Sequence, residues 1–274
     1  MRNESDAQTL KVGPVPNALL ESVGVKRIPV SVVIPTLNEA GRIESAIESV
    51  RWADEVIVVD AGSTDGTAPI ARRLGAHVLL VTGTTIGAQR NAGIADARND
   101  WILALDADEE ATPELRDSLA NLCAGHSPPH RAFRIRSRNW HLGRELRHGP
   151  WGRDWKVRVF SRSERFSAAR VHENLEALDD VGALDGALIH HPYRDLSHQI
   201  VKIAQYAKWA AADMRAKGRR GSVTAMLTRP LWRFVRDYIV LSGWRDGAAG
   251  FIVATVSAFS VFLKYAILLM PEAS

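Results

Sequence analysis

Asp106-Ala107-Asp108 follows the apolar run Trp101-Ile102-Leu103-Ala104-Leu105. Two carboxylates two residues apart, at the point where a strand stops, can both approach one hard divalent cation. Mg²⁺ or Mn²⁺ takes such oxygen ligands and keeps positions open for phosphate. An Asp-x-Asp pair is common by chance, and the plain alternative is a solvated turn ahead of a helix near Thr112. Its company favours the cation: two earlier apolar runs also end in polar constellations. Pro35-Thr36-Leu37-Asn38-Glu39 closes the first, and Asp60-Ala61-Gly62-Ser63-Thr64-Asp65-Gly66-Thr67 closes the second. Gly62 and Gly66 allow tight turns, and the helix after them offers free N–H groups to anions or hydroxyls. The ordinary reading there is a strand–turn–helix connection capped by Asp65 or Thr67. No Gly-Lys-Ser/Thr follows and no Gly-x-Gly-x-x-Gly occurs, which excludes a Walker loop and argues against a nicotinamide dehydrogenase.

These three groups must be carried by elements that end on one side. The pattern predicts strands at Val30–Pro35, Glu55–Asp60, His77–Val81 and Trp101–Asp106. Helices are expected at Glu39–Arg51, Thr67–Leu74 and Thr85–Arg98. Strands rich in Val, Ile and Leu alternating with helices imply an α/β fold, a mostly parallel sheet with flanking helices. Ligands of such sheets sit at the carboxyl ends of the strands. After Pro128-Pro129 the composition changes. Strands are expected at Ala132–Ser137, Lys156–Phe160 and Ala183–His191, and a long helix at Asp195–Lys217. Residues 1–29, with a Val-Gly-Pro-Val-Pro stretch, read as a loose leader without the apolar run a secretory signal needs. The catalytic part is therefore expected in the cytoplasm.

The 274 residues are 46% hydrophobic and 24% charged, enough for a sizeable core. One cysteine, Cys123, excludes an internal disulfide framework and the paired-Cys zinc patterns; it reads as small apolar filler late in a helix. The net charge of +4 hides an asymmetry. Glu39 to Asp117 holds 15 acidic and 7 basic residues, Arg131 to Arg170 holds 12 basic and 3 acidic, and Lys202 to Arg245 holds 10 basic and 2 acidic. A cation site first and an anionic partner later fit that order. Twelve basic residues with Trp140, Trp151 and Trp155 also suit single-stranded nucleic acid, but a phosphorylated glycolipid explains the same charges, and the sugar-transfer resemblance given below favours it.

Toward the C-terminus, Arg229, Arg233 and Arg236 share one helical face and Trp232, Val235 and Ile239 another, the pattern of a basic amphipathic helix. Gly247 to Leu263 is 17 residues without a charge, borderline for a bilayer core of about 30 Å. An in-plane or re-entrant helix is expected ahead of a true span; helices packed on the core or on a second subunit, as in a homo-oligomer, are the alternative.

Together, Ser31-Val-Val-Ile-Pro-Thr-Leu-Asn-Glu39, Val58-Val-Asp-Ala-Gly-Ser-Thr-Asp-Gly-Thr67, Gly87-Ala-Gln-Arg-Asn91 and Leu105-Asp-Ala-Asp108 resemble family 2 of the glycosyltransferases, which have the GT-A fold. Arg147-His-Gly-Pro-Trp151, Val157-Arg-Val-Phe160, Val171-His-Glu173 and His191-Pro-Tyr-Arg-Asp195 look like a narrower subgroup, as do Pro230-Leu-Trp-Arg-Phe234 and Ser257 to Tyr265. That subgroup contains the lipopolysaccharide core β-1,4-glucosyltransferases. The resemblance implies a GT-A catalytic domain over 30–194, with a nucleotide-binding half at 30–125 and an acceptor half at 130–194. A helical, membrane-associating region over 195–274 would follow.

The resemblance also implies roles. Pro35, Thr36, Glu39 and Asp60 would line the nucleotide, Arg90 would approach the base or diphosphate, and Asp106 would contact ribose or sugar. Asp108 would bind Mg²⁺ or Mn²⁺, with Asp106 and His191 as further candidates. Glu173 is the expected general base and Asp154 the second candidate; Trp151, Arg153 and His172 fall to the acceptor. The implied reaction is inverting transfer of a hexose, glucose by expectation, from a UDP-sugar to an anionic glycolipid at the cytoplasmic face of the inner membrane. Where many members carry a second acidic residue after the strand-end Asp this chain has Ala61, so uridine is favoured rather than fixed. The rival readings are transfer to polyprenyl phosphate, polysaccharide or protein, a nucleotidyltransferase, and a non-catalytic membrane adaptor. The nucleotidyltransferase would need a Gly-rich basic loop where Pro-Thr-Leu-Asn-Glu stands.

Overall fold

The computed structural model describes residues 27–125, 128, 130–167, 175, 178 and 180–270. The expected leader therefore lies outside the described residues, except that the first strand already begins at Ile28. Nine strands form one sheet: β1 (Ile28–Thr36), β2 (Ala53–Asp60), β3 (His77–Leu80), β4 (Trp101–Ala104), β5 (Glu109–Ala111), β6 (Ala132–His141), β7 (Arg144–Glu145), β8 (Trp155–Ser161) and β9 (Val181–His190). Among the described residues seven α-helices accompany them: α1 (Ile43–Ser49), α2 (Thr67–Arg73), α3 (Ile86–Asp96), α4 (Pro113–Ala124), α5 (Leu196–Ala216), α6 (Val223–Val235) and α7 (Gly247–Leu269).

The sheet runs β3-β2-β1-β4-β8-β6-β9-β5, with β7 paired to β6. From β3 to β4 every pairing is parallel. Beyond β4 the sheet is mixed, since β8 runs antiparallel to both β4 and β6 while β9 runs parallel to β6. The α/β architecture with flanking helices is the expected GT-A arrangement.

Alternation along the strands explains why both faces are dry. Val30, Val32 and Ile34 of β1 point into one core with Ile43 and Ile47 of α1 and Leu115 and Leu119 of α4. Val33 points the other way and joins Ile57, Val59, Ile102 and Ile94 of α3. Gly93 lets α3 lie close on that second face, because a Cβ there would sit 2.5 Å from Val33 Cγ1. Cys123 is the expected helix filler, half-buried near the end of α4, where burial pushes its thiol up to about 11.

Register sets the functional edge. Thr36 pairs with Asp60 across β1 and β2, and Val33 with Ala104 across β1 and β4, so all three constellations emerge at the carboxyl ends of adjacent strands. The expected strand to Asp106 stops at Ala104, which leaves Asp106-Ala-Asp108 in the turn before β5.

The C-terminal helices pack as a unit. Ala211 of α5, Ala225 and Met226 of α6, and Tyr265 and Leu268 of α7 share one apolar cluster, and Arg215 donates to the carbonyls of Ile267 and Met270 at 2.6 Å, satisfying the free end of α7. The stretch Gly243–Leu269 is long and apolar enough to cross a membrane, and only 22% of its most apolar part is buried inside the molecule. The amphipathic helix begins at Val223, earlier than the expected Arg229, and carries Pro230 inside it.

Candidate functional site

The loops after β1 and β2 are laced together by side-chain caps. Asp60 accepts from the amides of Gly62 and Ser63 at 3.3 and 3.0 Å and from Thr36 Oγ1 at 3.3 Å. Asn38, in the left-handed region at φ 57°, accepts from the Thr64 amide at 2.9 Å. The amides of Glu39 and Ala40 donate to Thr67 Oγ1 and Asp65 Oδ2 at 2.9 and 3.1 Å. Such Asx-type closures hold a turn at low entropic cost, and they bring Pro35, Thr36, Glu39 and Asp60 to one edge. Glu39 Oε2 also lies 3.5 Å from Arg194, whose guanidinium donates to the Asn38 carbonyl at 3.1 Å. The His191–Asp195 loop thus closes over this edge.

Asp106 sits in an arginine cage. Arg90 of α3 reaches one carboxylate oxygen at 2.5 Å, and Arg158 of β8 hydrogen-bonds the other. Burial opposes ionisation, but the charges of Arg158, Arg90 and Lys156 hold the carboxyl well below the usual carboxylate range. Behind it, fully buried Glu109 accepts the Asp106 amide at 3.1 Å and takes Arg158 at 3.1 Å and Lys156 at 3.2 Å. Arg90 lies over the Phe166 ring at 4.9 Å, and Asn91 clamps the Phe166 backbone by two 2.9 Å hydrogen bonds.

Asp108 has different company. Arg42 lies 3.4 Å from one oxygen, and His190 Nε2 lies 3.6 Å from the other. Burial pushes the carboxyl up, but the hydrogen bond and charge of His190 outweigh it and leave the group below its ordinary range. The orientation of the His190 ring follows from its other nitrogen. Asn139 Nδ2 donates to the Trp151 carbonyl at 2.9 Å and faces Asp154 Oδ2 at 3.5 Å. Its Oδ1 is therefore turned to His190 Nδ1, 2.7 Å away, and accepts from it. Nε2 is then the ring atom that faces the Asp108 carboxylate, and a cation bound here would lie between the two. Metal-bound histidines characteristically donate their other N–H in this way.

The expected cation residues thus separate. Asp108 is flanked by an imidazole, whereas both oxygens of Asp106 are engaged by guanidiniums. The neighbouring His191 gives its amide to the Asp108 carbonyl at 2.9 Å, and its ring tilts against Trp140 with centroids 6.2 Å apart. Among the described residues no three His, Cys, Asp or Glu side chains cluster as a complete metal cage. Asp108 and His190 fit a divalent cation, whose remaining positions would fall to diphosphate and water.

A cleft of about 240 Å³ beside Asp108 is lined by Arg42, Ser45, His191, Tyr193 and Arg194. A larger one, about 390 Å³, lies among Arg27, Arg51, Asp54 and His77. It opens at the amino end of β2, away from the strand-end carboxylates. Trp151 stacks on Tyr193 with centroids 6.0 Å apart, and His141 meets both rings edge-on. Burial pushes the Tyr193 hydroxyl up to about 12. Arg153 is exposed in the short turn Trp151–Arg153, and Asp154 lies 3.8 Å from Lys156. Glu173 and His172 lie outside the described residues.

Sequence reading did not single out Arg158, Glu109, Asn139 or His190. One signal was present for Arg158: a charged residue between valines on a strand whose neighbours are buried needs a partner.

Comparisons with known proteins bear on the family. The family described as glycosyl transferase family 2 matches residues 31–128. A Rickettsia bellii protein described as an uncharacterized glycosyltransferase is 30% identical over 249 residues, covering 86% of this chain and 85% of its own. The lipopolysaccharide core biosynthesis glycosyltransferase LpsC of Rhizobium meliloti is 28% identical over 250 residues, covering 88% of this chain and 92% of its own. The Mycobacterium tuberculosis glucosyl-3-phosphoglycerate synthase, crystallised with Mn²⁺ and UDP-glucose, is 27% identical with a TM-score of 0.34, over 45% of this chain and 47% of its own. An overlap that partial transfers nothing to this site. The full-length relative and the matched motif region make the chain a member of glycosyl transferase family 2.

Proposed function

We propose that the protein moves a hexose, glucose by preference, from a uridine diphosphate donor to an anionic glycolipid of the lipopolysaccharide inner-core type, with inversion, at the cytoplasmic face of the inner membrane. Family membership supplies the reaction class, and similarity to a lipopolysaccharide core enzyme supports the acceptor. The observation that carries the reading is the divided strand-end motif: Asp106 held by two arginines, and Asp108 facing the Nε2 of an imidazole.

In this reading Pro35, Thr36, Glu39 and Asp60 receive the nucleoside, and Arg90 lies toward the diphosphate. Asp106, kept ionised and fixed, accepts from sugar or ribose hydroxyls. Asp108 and His190 hold Mg²⁺ or Mn²⁺, with His191 lining the same cleft. The bound ion would act as a Lewis acid on the charge gathering on the departing diphosphate. Trp151 offers an aromatic face to an acceptor sugar, and Arg153 a charge to its phosphate. A carboxylate on the acceptor side, Glu173 or Asp154, takes the acceptor proton as the hydroxyl oxygen bonds the anomeric carbon and the carbon–oxygen bond to diphosphate breaks. One displacement inverts that carbon and needs no covalent intermediate.

The membrane reading is supported by apolar side chains that the fold leaves outward beside arginines. Leu227, Leu231 and Trp232 of α6 are 60%, 67% and 62% exposed, and the stretch from Arg215 to Arg245 carries eight basic residues against Asp237 alone. Such a face suits an anionic lipid surface.

Release of UDP from UDP-glucose, with and without truncated-core lipopolysaccharide, tests the function. Mn²⁺- or Mg²⁺-dependent release that rises with acceptor is expected. Purified protein that neither binds nor turns over any sugar nucleotide would leave the membrane-adaptor reading in its place.

A further inference from the structure

The start of the apolar helix is fastened to the acceptor-side loop by one buried carboxylate. Asp246, 8% exposed, immediately precedes α7. A carboxylate there ordinarily caps its own helix by accepting a first-turn amide. This one makes no such bond. Its Oδ2 accepts from the His148 amide at 2.8 Å, while Oδ1 accepts from the Arg147 amide at 3.3 Å and pairs with His148 Nδ1 at 2.8 Å. These partners lie nearly a hundred residues earlier in the chain.

Backbone contacts continue the seam. The Gly149 amide donates to the Leu241 carbonyl at 2.9 Å, and Leu146 packs with Ala249 and Val253 of α7 against Trp151. Gly149, at φ 66°, lies against the other side, where a Cβ would come 3.6 Å from the Asp237 carbonyl oxygen and 3.8 Å from Gly243 Cα.

We propose that Asp246 is a positioning residue that couples the lipid-facing α6–α7 unit to the Arg147–Trp151 loop, setting where Trp151 meets Tyr193. It touches neither donor nor acceptor. Three charge-assisted hydrogen bonds from one buried carboxylate fix an orientation that apolar contacts alone leave free to slide. The catalytic consequence rests on the reading above that the Trp151 side receives the acceptor.

Hydrogen exchange read by mass spectrometry on the full chain tests the coupling without reference to activity. Asp246→Ala is expected to speed exchange across 146–153 about tenfold or more, and Asp246→Asn, which keeps one acceptor oxygen, by less, with 28–60 unchanged. Unchanged exchange at 146–153 in either folded variant overturns the proposal. With the same proteins, UDP-glucose affinity in Mn²⁺ should stay within about twofold while kcat/KM for truncated-core lipopolysaccharide in anionic vesicles falls about tenfold or more, as it should for Trp151→Ala. A loss of donor binding as large as the loss of transfer marks a general structural role and also overturns it. Trp151→Ala impaired beside an Asp246→Ala enzyme of normal transfer does the same. Faster loop exchange with normal transfer in both variants refutes the acceptor reading, and the catalytic consequence with it. Should Asp246→Ala not fold, Asp246→Asn and His148→Ala carry the comparison.

Discussion

Glu109 and Arg158 form an ion pair 3.1 Å apart with side chains 0% and 7% exposed, directly behind Asp106. Removing one member strands the other in a dry interior. Arg158→Met is therefore expected to destabilise the fold by about 3–5 kcal/mol, and Glu109→Gln by about 1–3 kcal/mol. Urea unfolding measures both; an Arg158→Met protein as stable as wild type would show that the cage is dispensable to the fold.

The packing of α3 on β1 and β2 gives a second expectation. Alanine at Gly93 gains about 1 kcal/mol in helix propensity, but its Cβ meets Val33 Cγ1 at 2.5 Å and Val59 Cγ2 at 3.0 Å. Overpacking costs about 1–3 kcal/mol, so the net change should be destabilising. Gly41→Ala, with nothing within 4 Å of the added Cβ, serves as the control. A higher midpoint for Gly93→Ala would contradict this packing.

The division between Asp106 and Asp108 predicts different chemistry for two adjacent histidines. Asp108→Asn should abolish Mn²⁺-dependent tightening of UDP-glucose binding. His190→Gln should weaken it about 10–100-fold, and His191→Gln much less, because only the His190 ring is turned to the carboxylate by a second partner. Calorimetric titration with and without Mn²⁺ decides; an unaffected His190→Gln protein would remove that residue from the cation site.

His141 supplies a pH dependence. Burial lowers its pKa from the ordinary value near 6.5, so below that value the unfolded chain binds a proton that the folded chain resists. The stability owed to neutral His141 is thus complete above about pH 6.5 and is lost as pH falls toward the lowered folded value. His141→Phe preserves a ring against Trp151 and Tyr193 but cannot titrate. Between about pH 7 and pH 5 wild type should lose more stability than this variant; parallel curves would refute the assignment.

For the membrane face, replacing Leu231 and Trp232 with serine removes two strongly exposed apolar side chains from α6. Partition onto vesicles containing anionic lipid should fall about tenfold or more, and wild-type binding should weaken with added salt. Equal binding to zwitterionic and anionic vesicles would argue against the basic face as the contact.

Much of the strand-end edge was legible because its signals are local. Short Val/Ile/Leu runs made the parallel strands, and each ended where a proline, a glycine pair or carboxylates interrupt it. The structure sharpened the bounds, stopping β4 at Ala104 and extending β6 to His141. It added β5, since Glu109-Glu-Ala111 has no strand character of its own and becomes one by pairing with β9.

By itself, then, the order of residues determined the strand-ending motifs, the acidic front and basic remainder, and the uncharged C-terminal stretch, because each is a matter of spacing within a few turns or strand lengths. Only tertiary structure decided that Arg158 would reach Asp106, that His190 rather than His191 would face Asp108, and that Asp246 would hold His148. Those pairs lie 52, 82 and 98 positions apart, and their meeting depends on which strands adjoin in the sheet and where the C-terminal helices dock. No local periodicity encodes that choice; the burial of whole faces makes it.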